Sequence, residues 1–113
     1  MGTLSTLLKG FAIIRANRAK IEELKKGRQT KLNKLAIYML GGRPVTGAIM
    51  IAKFNIYSYR DAIYDLTKKG YEIKNKDITT ENGVTHRIWW LAEFDEEFAL
   101  AREKKFFRYC KCQ

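Results

Sequence analysis

The sequence predicts an α+β fold that is mainly helical, with a helix-turn-helix, a β-hairpin after it and one added helix at each end. Three observations lead to this fold class. Apolar residues recur at three- and four-residue spacing in several segments, which is the pattern of amphipathic helices. Two of these segments are separated only by Phe54-Asn55-Ile56, so the two helices meet at a tight corner. A later stretch alternates apolar and polar residues around Asn82-Gly83, a typical hairpin turn.

Length and charge set the limits of the fold and its partners. The 113 residues, 46% of them hydrophobic, suffice for one domain with a real core. The net charge of +10 favours an acidic partner, either nucleic acid or an anionic membrane surface. Residues 1–34 hold nine Lys or Arg against two acids, a net +7, whereas residues 35–92 hold eight against five, a net +3. The alternative interpretation of the basic N-terminal segment is a solvated helix face.

Several classes of protein are disfavoured by what the sequence does not contain. No run of about 18 apolar residues predicts a membrane span, and Lys9 interrupts the Leu-rich start, which therefore does not resemble a signal peptide. We expect a cytoplasmic protein with no membrane partner. Cys110 and Cys112 are expected to be reduced thiols, and with His86 as the single histidine they are too few for a structural zinc site. No cofactor is predicted.

Residues 1–27 are predicted to form one amphipathic helix that Gly27 ends. Its apolar stripe consists of Leu4, Leu7, Phe11, Ile14 and Ile21. The stripe has three candidate partners: the C-terminal helix, the rest of the domain, or a second copy of the chain in coiled-coil fashion. We assign residues 28–92 to the helix-turn-helix domain and residues 93–113 to a C-terminal helix and tail.

The next helix is predicted from Thr30 to Leu40, with Gly41-Gly42 ending it. Its inner face is expected to carry Leu32, Leu35, Ala36 and Met39. An extended link follows at Arg43-Pro44, because the residue before proline is disfavoured in the helical region.

Thr46 is the predicted N-cap of the first helix of the helix-turn-helix. Asn55 tolerates the left-handed backbone that the corner requires. The second helix is predicted from about Tyr57 to Lys69 and ends at Gly70. Its inward face is expected to consist of Tyr59, Ala62, Ile63 and Leu66.

A β-hairpin is predicted after this helix. Tyr71 to Lys74 alternates like a strand, and Val84 to Leu91 forms the returning strand. Three helices followed by a hairpin are the order of a winged helix-turn-helix domain, in which the hairpin is the wing. Trp89 and Trp90 are adjacent and so point to opposite faces of their strand, which requires that one fills the core and a terminal helix or a partner covers the other.

Asp95 is the predicted cap of a last helix, whose acids lie in the first turn and whose basic residues lie near its end. Its apolar residues are Phe94, Phe98, Ala101, Phe106, Phe107 and Tyr109. Aromatic residues at helical spacing are usually core residues, so we expect them to cover the N-terminal helix.

The outward face of the second helix is the predicted DNA-reading surface. Arg60 has the geometry to pair with a guanine edge. If Asp61 lies on a DNA-binding face, it must accept a hydrogen bond from a cytosine amino group or orient Arg60, because otherwise its charge repels phosphate. The candidate DNA-binding residues are Thr46, Tyr57, Ser58, Arg60, Asp61, Tyr64 and Lys68, together with Lys74, Lys76, His86 and Arg87 in the wing. The alternative interpretation of Arg60 and Asp61 is that they are ordinary solvent charges.

No catalytic constellation is found in the sequence. It contains no Gly-rich phosphate loop, nucleophile elbow or metal-ligand cluster, and the paired acids Glu22-Glu23 and Glu96-Glu97 have no matching histidine. We therefore predict that the protein is not an enzyme.

Three motifs carry a family resemblance: Gly42-Arg43-Pro44-Val45-Thr46, Phe54-Asn55-Ile56-Tyr57, and the stretch from Ile63 to Ile73. Together they resemble small helix-turn-helix proteins encoded by bacteriophages and prophages. That family's pattern runs from Gly-x-Pro-(Ile/Val)-Thr to (Arg/Lys)-(Arg/Lys)-Gly-aromatic-x-Ile, with a short hairpin after it. The resemblance covers roughly Leu32 to Leu91 and implies DNA binding.

The chain departs from the family pattern at two positions. Asn55 stands where the family often has Gly, and Thr67 stands where it often has Arg. The departures affect the expected DNA contacts more than the expected fold.

The sequence as a whole favours a sequence-specific binder of double-stranded DNA. Its expected role is that of a phage or mobile-element transcription regulator, or of an accessory factor in replication or recombination. The alternative is a protein-binding module, such as a phage inhibitor of a host enzyme. The expected partners are DNA, a second copy of the chain through the terminal helices, and a host protein.

Overall fold

The computed structural model describes residues 3–79 and 81–102. Within these ranges the chain is an α+β fold with six helices and a small antiparallel sheet of three strands. The elements in chain order are α1 (Thr3–Ala16), α2 (Arg18–Lys26), α3 (Lys31–Leu40), β1 (Val45–Thr46), α4 (Gly47–Phe54), α5 (Tyr59–Lys68), β2 (Ile73–Thr79), β3 (Thr85–Leu91) and α6 (residues 96–102).

The sheet has the order β1-β3-β2, with β3 in the centre. Val45 of β1 pairs with Trp89, and the hairpin of β2 and β3 runs from the Ile73–Leu91 pair to the Thr79–Thr85 pair. The two predicted hairpin strands are confirmed, although β2 begins two residues later than expected and extends to Thr79. Strand β1 was not predicted, because a strand of two residues is too short to show a period.

The N-terminal segment differs from the single helix that the sequence predicts. A break at Asn17 divides it into α1 and α2. The side-chain amide nitrogen of Asn17, Nδ2, donates to the Leu40 carbonyl oxygen at 3.1 Å and to Glu93 Oε2 at 2.6 Å. These long-range bonds tie the break to the end of α3 and to the segment before α6. The break also lets α1 and α2 pack on different neighbours, and α2 packs on α3.

Helices α1 and α6 pack on each other within one chain. The rings of Phe11 and Phe98 meet edge to face with centroids 5.5 Å apart. Gly10 and Gly42 both lie directly against the Phe98 ring, where a side chain would have no room. Phe98 is 1% exposed, as expected for an aromatic residue that covers the N-terminal helix. Phe106, Phe107 and Tyr109 lie outside the described residues, as do Cys110 and Cys112.

This packing changes the argument for a homodimer. Of the predicted stripe, Leu7, Ile14 and Ile21 are partly buried against the core. Leu4 and Phe11 stay 72% and 44% exposed, and Leu8 is also exposed. Part of the apolar surface that suggested a second copy is therefore covered by the chain itself, and dimerisation stays a prediction.

Local signals in the sequence set the start of α3 and both ends of α4. Thr30 Oγ1 accepts from the Asn33 amide at 3.1 Å at the start of α3, and Thr46 Oγ1 accepts from the Ile49 amide at 3.2 Å at the start of α4. Asn55 closes α4 with φ 56° and ψ 37°, the left-handed conformation expected at the corner.

Helix α5 begins at Tyr59, two residues later than predicted, and ends at Lys68, one residue earlier than predicted, with Gly70 after it as the predicted stop. Gly70 has φ 104°, which glycine adopts without strain. The Tyr71 amide donates to the Leu66 carbonyl at 3.2 Å and the Gly70 amide to the Thr67 carbonyl at 3.0 Å. This pair of bonds is the Schellman arrangement. It turns the chain sharply out of α5 into the hairpin.

The core surrounds β3 on both faces. Ile88, Trp89, Trp90 and Leu91 are all buried, although alternate residues of a strand point in opposite directions. Trp89 faces Tyr59 of α5, with ring centroids 6.0 Å apart. Trp90 lies on the opposite face of the sheet. Lys76 is on that face too and forms an ion pair with Glu96 of α6. Both tryptophans are thus covered within the chain. No helix in the described ranges is long and apolar enough to cross a membrane.

Replacing Thr46 with Ala is expected to lower the free energy of unfolding by about 1–2 kcal/mol, because it removes a buried acceptor for the Ile49 amide. Urea denaturation measures the change. Ser58→Ala is the matched control, since Ser58 occupies the N-cap position of α5 without a side-chain cap bond, and it is expected to stay within about 0.5 kcal/mol of the wild type. An equal loss at both positions would contradict the assignment of the cap.

Replacing Gly10 with Ala is expected to destabilise the protein by about 1–3 kcal/mol, because the added methyl group overlaps the Phe98 ring. In an unpacked helix the same change stabilises by about 1 kcal/mol, so the sign of the effect reports the α1–α6 contact. Thermal unfolding followed by circular dichroism gives the answer. Gly27→Ala serves as control, since the nearest atom to its added methyl would be the Leu24 oxygen at 3.6 Å. A stabilised Gly10→Ala variant would show that α1 does not pack on Phe98.

Candidate functional site

The exposed side of α5 carries one basic and aromatic row. Ala62, Ile63 and Leu66 face the core, and the residues opposite them are exposed. Arg60, Tyr64 and Lys68 follow each other at four-residue spacing and so lie on one line along the helix. Lys68 Nζ lies 4.6 Å from the centroid of the Tyr64 ring, a cation–π contact.

The acids of α5 form a second row on the other flank. Asp61 and Asp65 are one helical turn apart and line an open groove of about 410 Å³. The opposite wall of this groove comes from Lys31 at the start of α3 and from Tyr57 and Ser58 before α5. Among the described residues no ion pair joins Asp61 to Arg60. The two rows place the acids away from Arg60, so Asp61 is not its orienting partner.

Arg60 lines a different concavity, a cleft of about 550 Å³ between α4, the start of α5 and the hairpin. Its floor contains Tyr59 and Trp89, which contact each other. Gly47 lets the Tyr59 ring approach α4 closely, since a β-carbon at this position would be 3.1 Å from that ring. The full lining is Thr46, Gly47, Ala48, Ile51, Tyr59, Arg60, Asp77, Thr85, His86, Arg87 and Trp89.

Arg87 forms an ion pair across the hairpin. Its Nε donates to Asp77 Oδ1 at 2.9 Å and its Nη2 to Asp77 Oδ2 at 3.4 Å. The hydrogen bond from Arg87 lowers the pKa of the Asp77 carboxyl below its ordinary value of 3.8. The fork fixes the guanidinium at the edge of the cleft, where about half of each side chain is exposed. Asp77 was not among the predicted residues, because it enters the site only through the strand register.

The two wing lysines lie on the other face of the hairpin. Lys76 pairs with Ile88 and Lys74 with Trp90, whereas Arg87 pairs with Asp77 on the opposite face. Lys76 Nζ also donates to Glu96 Oε2 at 2.8 Å at the start of α6. The structure therefore separates Lys74 and Lys76 from Arg60 and Arg87 in the cleft, and His86, which pairs with Ile78, points to the lysines' face of the hairpin.

Two further candidates are placed differently from expectation. Thr46 is 1% exposed, and its hydroxyl oxygen accepts the Ile49 amide, so it caps α4 from inside the fold and presents no surface to DNA. Tyr57 and Ser58 are exposed but precede α5 instead of lying on it. They line the groove that holds Asp61 and Asp65 and not the cleft that holds Arg60.

The cleft contains residues that the sequence did not indicate. Ala48 and Ile51 contribute the outer face of α4, and Ile51 is exposed. A helix of eight residues is too short for the apolar spacing to show which side faces the core, so these two positions could not be assigned before the packing of α4 was known. In residues 3–79 and 81–102 no group of three or more His, Cys, Asp or Glu residues is arranged to hold a metal ion. His86 is half-buried and borders the cleft by its place in β3, but its side chain is on the hairpin face opposite to Arg87.

Comparison of the chain with protein-family models, with curated proteins and with solved structures found no match in any of the three.

Arg87→Gln is expected to raise the pKa of the Asp77 carboxyl back towards 3.8, because the group that favours its ionised form is removed. The lowered pKa means that the pair stabilises the folded hairpin above about pH 4 and loses this contribution as the pH falls through the lowered value. Carboxyl chemical shifts in an NMR pH titration measure both values. Lys74→Gln, which removes a charge from the other face, is the control. Equal midpoints in wild type and Arg87→Gln would mean that the pair does not form in solution.

Proposed function

We propose that this protein is a winged helix-turn-helix protein that binds double-stranded DNA sequence-specifically, with α5 as the recognition helix and the β2–β3 hairpin as the wing. Its role would be that of a phage or mobile-element transcription regulator, or of an accessory factor in replication or recombination. The surface that carries the proposal is the cleft between α5 and the hairpin.

The order of the elements is the observation that supports the proposal most directly. Helices α3, α4 and α5, with β1 before α4, are followed by a hairpin whose returning strand pairs with β1. A winged helix has this order. The start of α5, at Tyr59 and Arg60, and the hairpin consequently border the same cleft, so a duplex that places α5 in its major groove would also meet the hairpin.

The charge arrangement supports DNA as the ligand. The row of Arg60, Tyr64 and Lys68 offers one guanidinium for a base edge and an ammonium for phosphate. The acids of α5 line the other groove and lie away from Arg60, although Asp65 is three residues before Lys68 and neighbours it on the helix surface. The total charge of +10 adds a sequence-independent attraction.

The proposal is tested by selecting duplexes from a random pool and measuring the affinity of the selected duplex by fluorescence anisotropy at low and physiological salt. Arg60→Gln is expected to weaken binding about tenfold to a hundredfold, the range for losing one bidentate base contact. The double variant Asp61→Asn/Asp65→Asn is the matched control on the other flank of the same helix. It is expected to bind at least as tightly as wild type, because it removes two negative charges.

Two results would contradict the proposal. An affinity of Arg60→Gln equal to that of wild type would remove α5 as the reading element. Absence of duplex binding even at low salt would overturn DNA binding altogether and leave the protein-binding module as the function to pursue.

A further inference from the structure

Outside the cleft, two cations flank one tyrosine ring. The Arg43 guanidinium carbon lies 5.3 Å from the centroid of the Tyr38 ring, and Lys53 Nζ lies 5.7 Å from it. Phe54 packs edge to face on the same ring with centroids 5.3 Å apart. These contacts bring together the outer side of α3, the link before β1 and the end of α4.

A third cation belongs to the same neighbourhood. Arg102 of α6 donates from Nη2 to the Gly41 carbonyl at 3.2 Å and lies over the rings of Phe11 and Phe98. Burial lowers the pKa of its guanidinium, the positive charge of Arg43 lowers it further, and Tyr38 acts in the opposite direction. Arg102 stays charged at neutral pH. Its charge is therefore held close enough to that of Arg43 for the two to repel.

No carboxylate neutralises this group in the part of the chain that the structure describes. The ion pairs found there are Lys25–Glu22, Lys76–Glu96 and Arg87–Asp77, and none includes Arg43, Lys53 or Arg102. Like charges that lie close together disfavour the folded state, and the partial burial of Arg102 adds to this cost, whereas Arg43 and Lys53 are exposed. An anion that binds among them would remove the repulsion and add charge-assisted hydrogen bonds.

We propose that Arg43 and Lys53, which flank the Tyr38 ring, together with Arg102, which binds the Gly41 carbonyl two residues before Arg43, form a second phosphate-binding site that holds a backbone phosphate of nucleic acid. Phosphate suits the group better than a carboxylate does, because two guanidinium forks and an ammonium offer more donors than two carboxylate oxygens use. The site shares no residue with the α5–hairpin cleft. It is joined to the helix-turn-helix through the link before β1 and the end of α4. As a contact for DNA it rests on the proposed function, and it extends the bound duplex beyond the cleft.

The first test is the salt dependence of DNA binding. The double variant Arg43→Gln/Lys53→Gln is compared with Lys9→Gln/Lys26→Gln, which removes two exposed charges from α1 and α2. Each lost phosphate contact makes the slope of log affinity against log salt shallower by about 0.9. We expect a slope shallower by about 1–2 and an affinity at least about fivefold lower for Arg43→Gln/Lys53→Gln than for the control. Equal slopes and affinities in the two double variants would overturn the site.

The second test does not depend on DNA binding. Thermal unfolding is measured at low ionic strength with and without pyrophosphate, a phosphate compound that needs no duplex. Wild type and Lys9→Gln/Lys26→Gln are expected to melt higher with pyrophosphate, because a ligand of the folded state stabilises it. Arg43→Gln/Lys53→Gln is expected to show no such shift, because two of the three cations that would hold the anion are removed.

The two tests separate failure of the site from failure of the proposed function. One outcome is that wild type binds no duplex while Arg43→Gln/Lys53→Gln alone loses the melting shift with pyrophosphate. That result would show that the cluster binds phosphate and that the phosphate does not come from nucleic acid. If all proteins shift equally with pyrophosphate, the cluster is not a phosphate site, whatever the duplex measurements show.

Discussion

Strand β3 requires cover on both of its faces, and the arrangement of the helices follows from this requirement. Four consecutive residues, Ile88 to Leu91, are buried, so helices must pack on both sides of a sheet only three strands wide. On one side Trp89 meets Tyr59 of α5, and the contact fixes the angle at which α5 leaves the corner at Asn55. On the other side the ion pair between Lys76 and Glu96 marks where α6 begins. The cleft exists because the α5 side of β3 is covered only up to Trp89, beyond which the hairpin projects past the helices.

Local signals allowed most of the helix boundaries to be predicted, while long-range contacts set the features that were missed. A cap at Thr46, a left-handed Asn55 and a terminating Gly70 each act within a few residues, so their effect can be read from the sequence. The break at Asn17 depends on acceptors that are 23 and 76 residues away along the chain. Strand β1 exists only because β3 pairs with it, and no local pattern in two residues could indicate that.

The residues that α5 contributes to the candidate site could largely be predicted from the sequence, whereas the residues that the hairpin contributes could not. Spacing along α5 gave the outward residues, but only the packed structure separates the basic row from the acidic one. In the hairpin, a two-residue turn at Asn82-Gly83 would pair Asp77 with Ile88, whereas the observed register pairs it with Arg87. A slip of one residue moves every side chain to the other face, so the sequence alone does not show that Lys74 and Lys76 lie opposite to Arg87.

The Phe98 ring between Gly10 and Gly42 has a consequence for how the sequence can change over time. The ring occupies space that a side chain would need at either glycine, and the glycines belong to α1 and to the turn before β1. A larger residue at position 10 becomes acceptable only together with a smaller residue at position 98, whereas the φ of 80° at position 42 favours glycine whatever the space around it. Positions 10 and 98 are therefore expected to vary jointly among descendants of this chain, so α1 and α6 inherit a shared volume constraint.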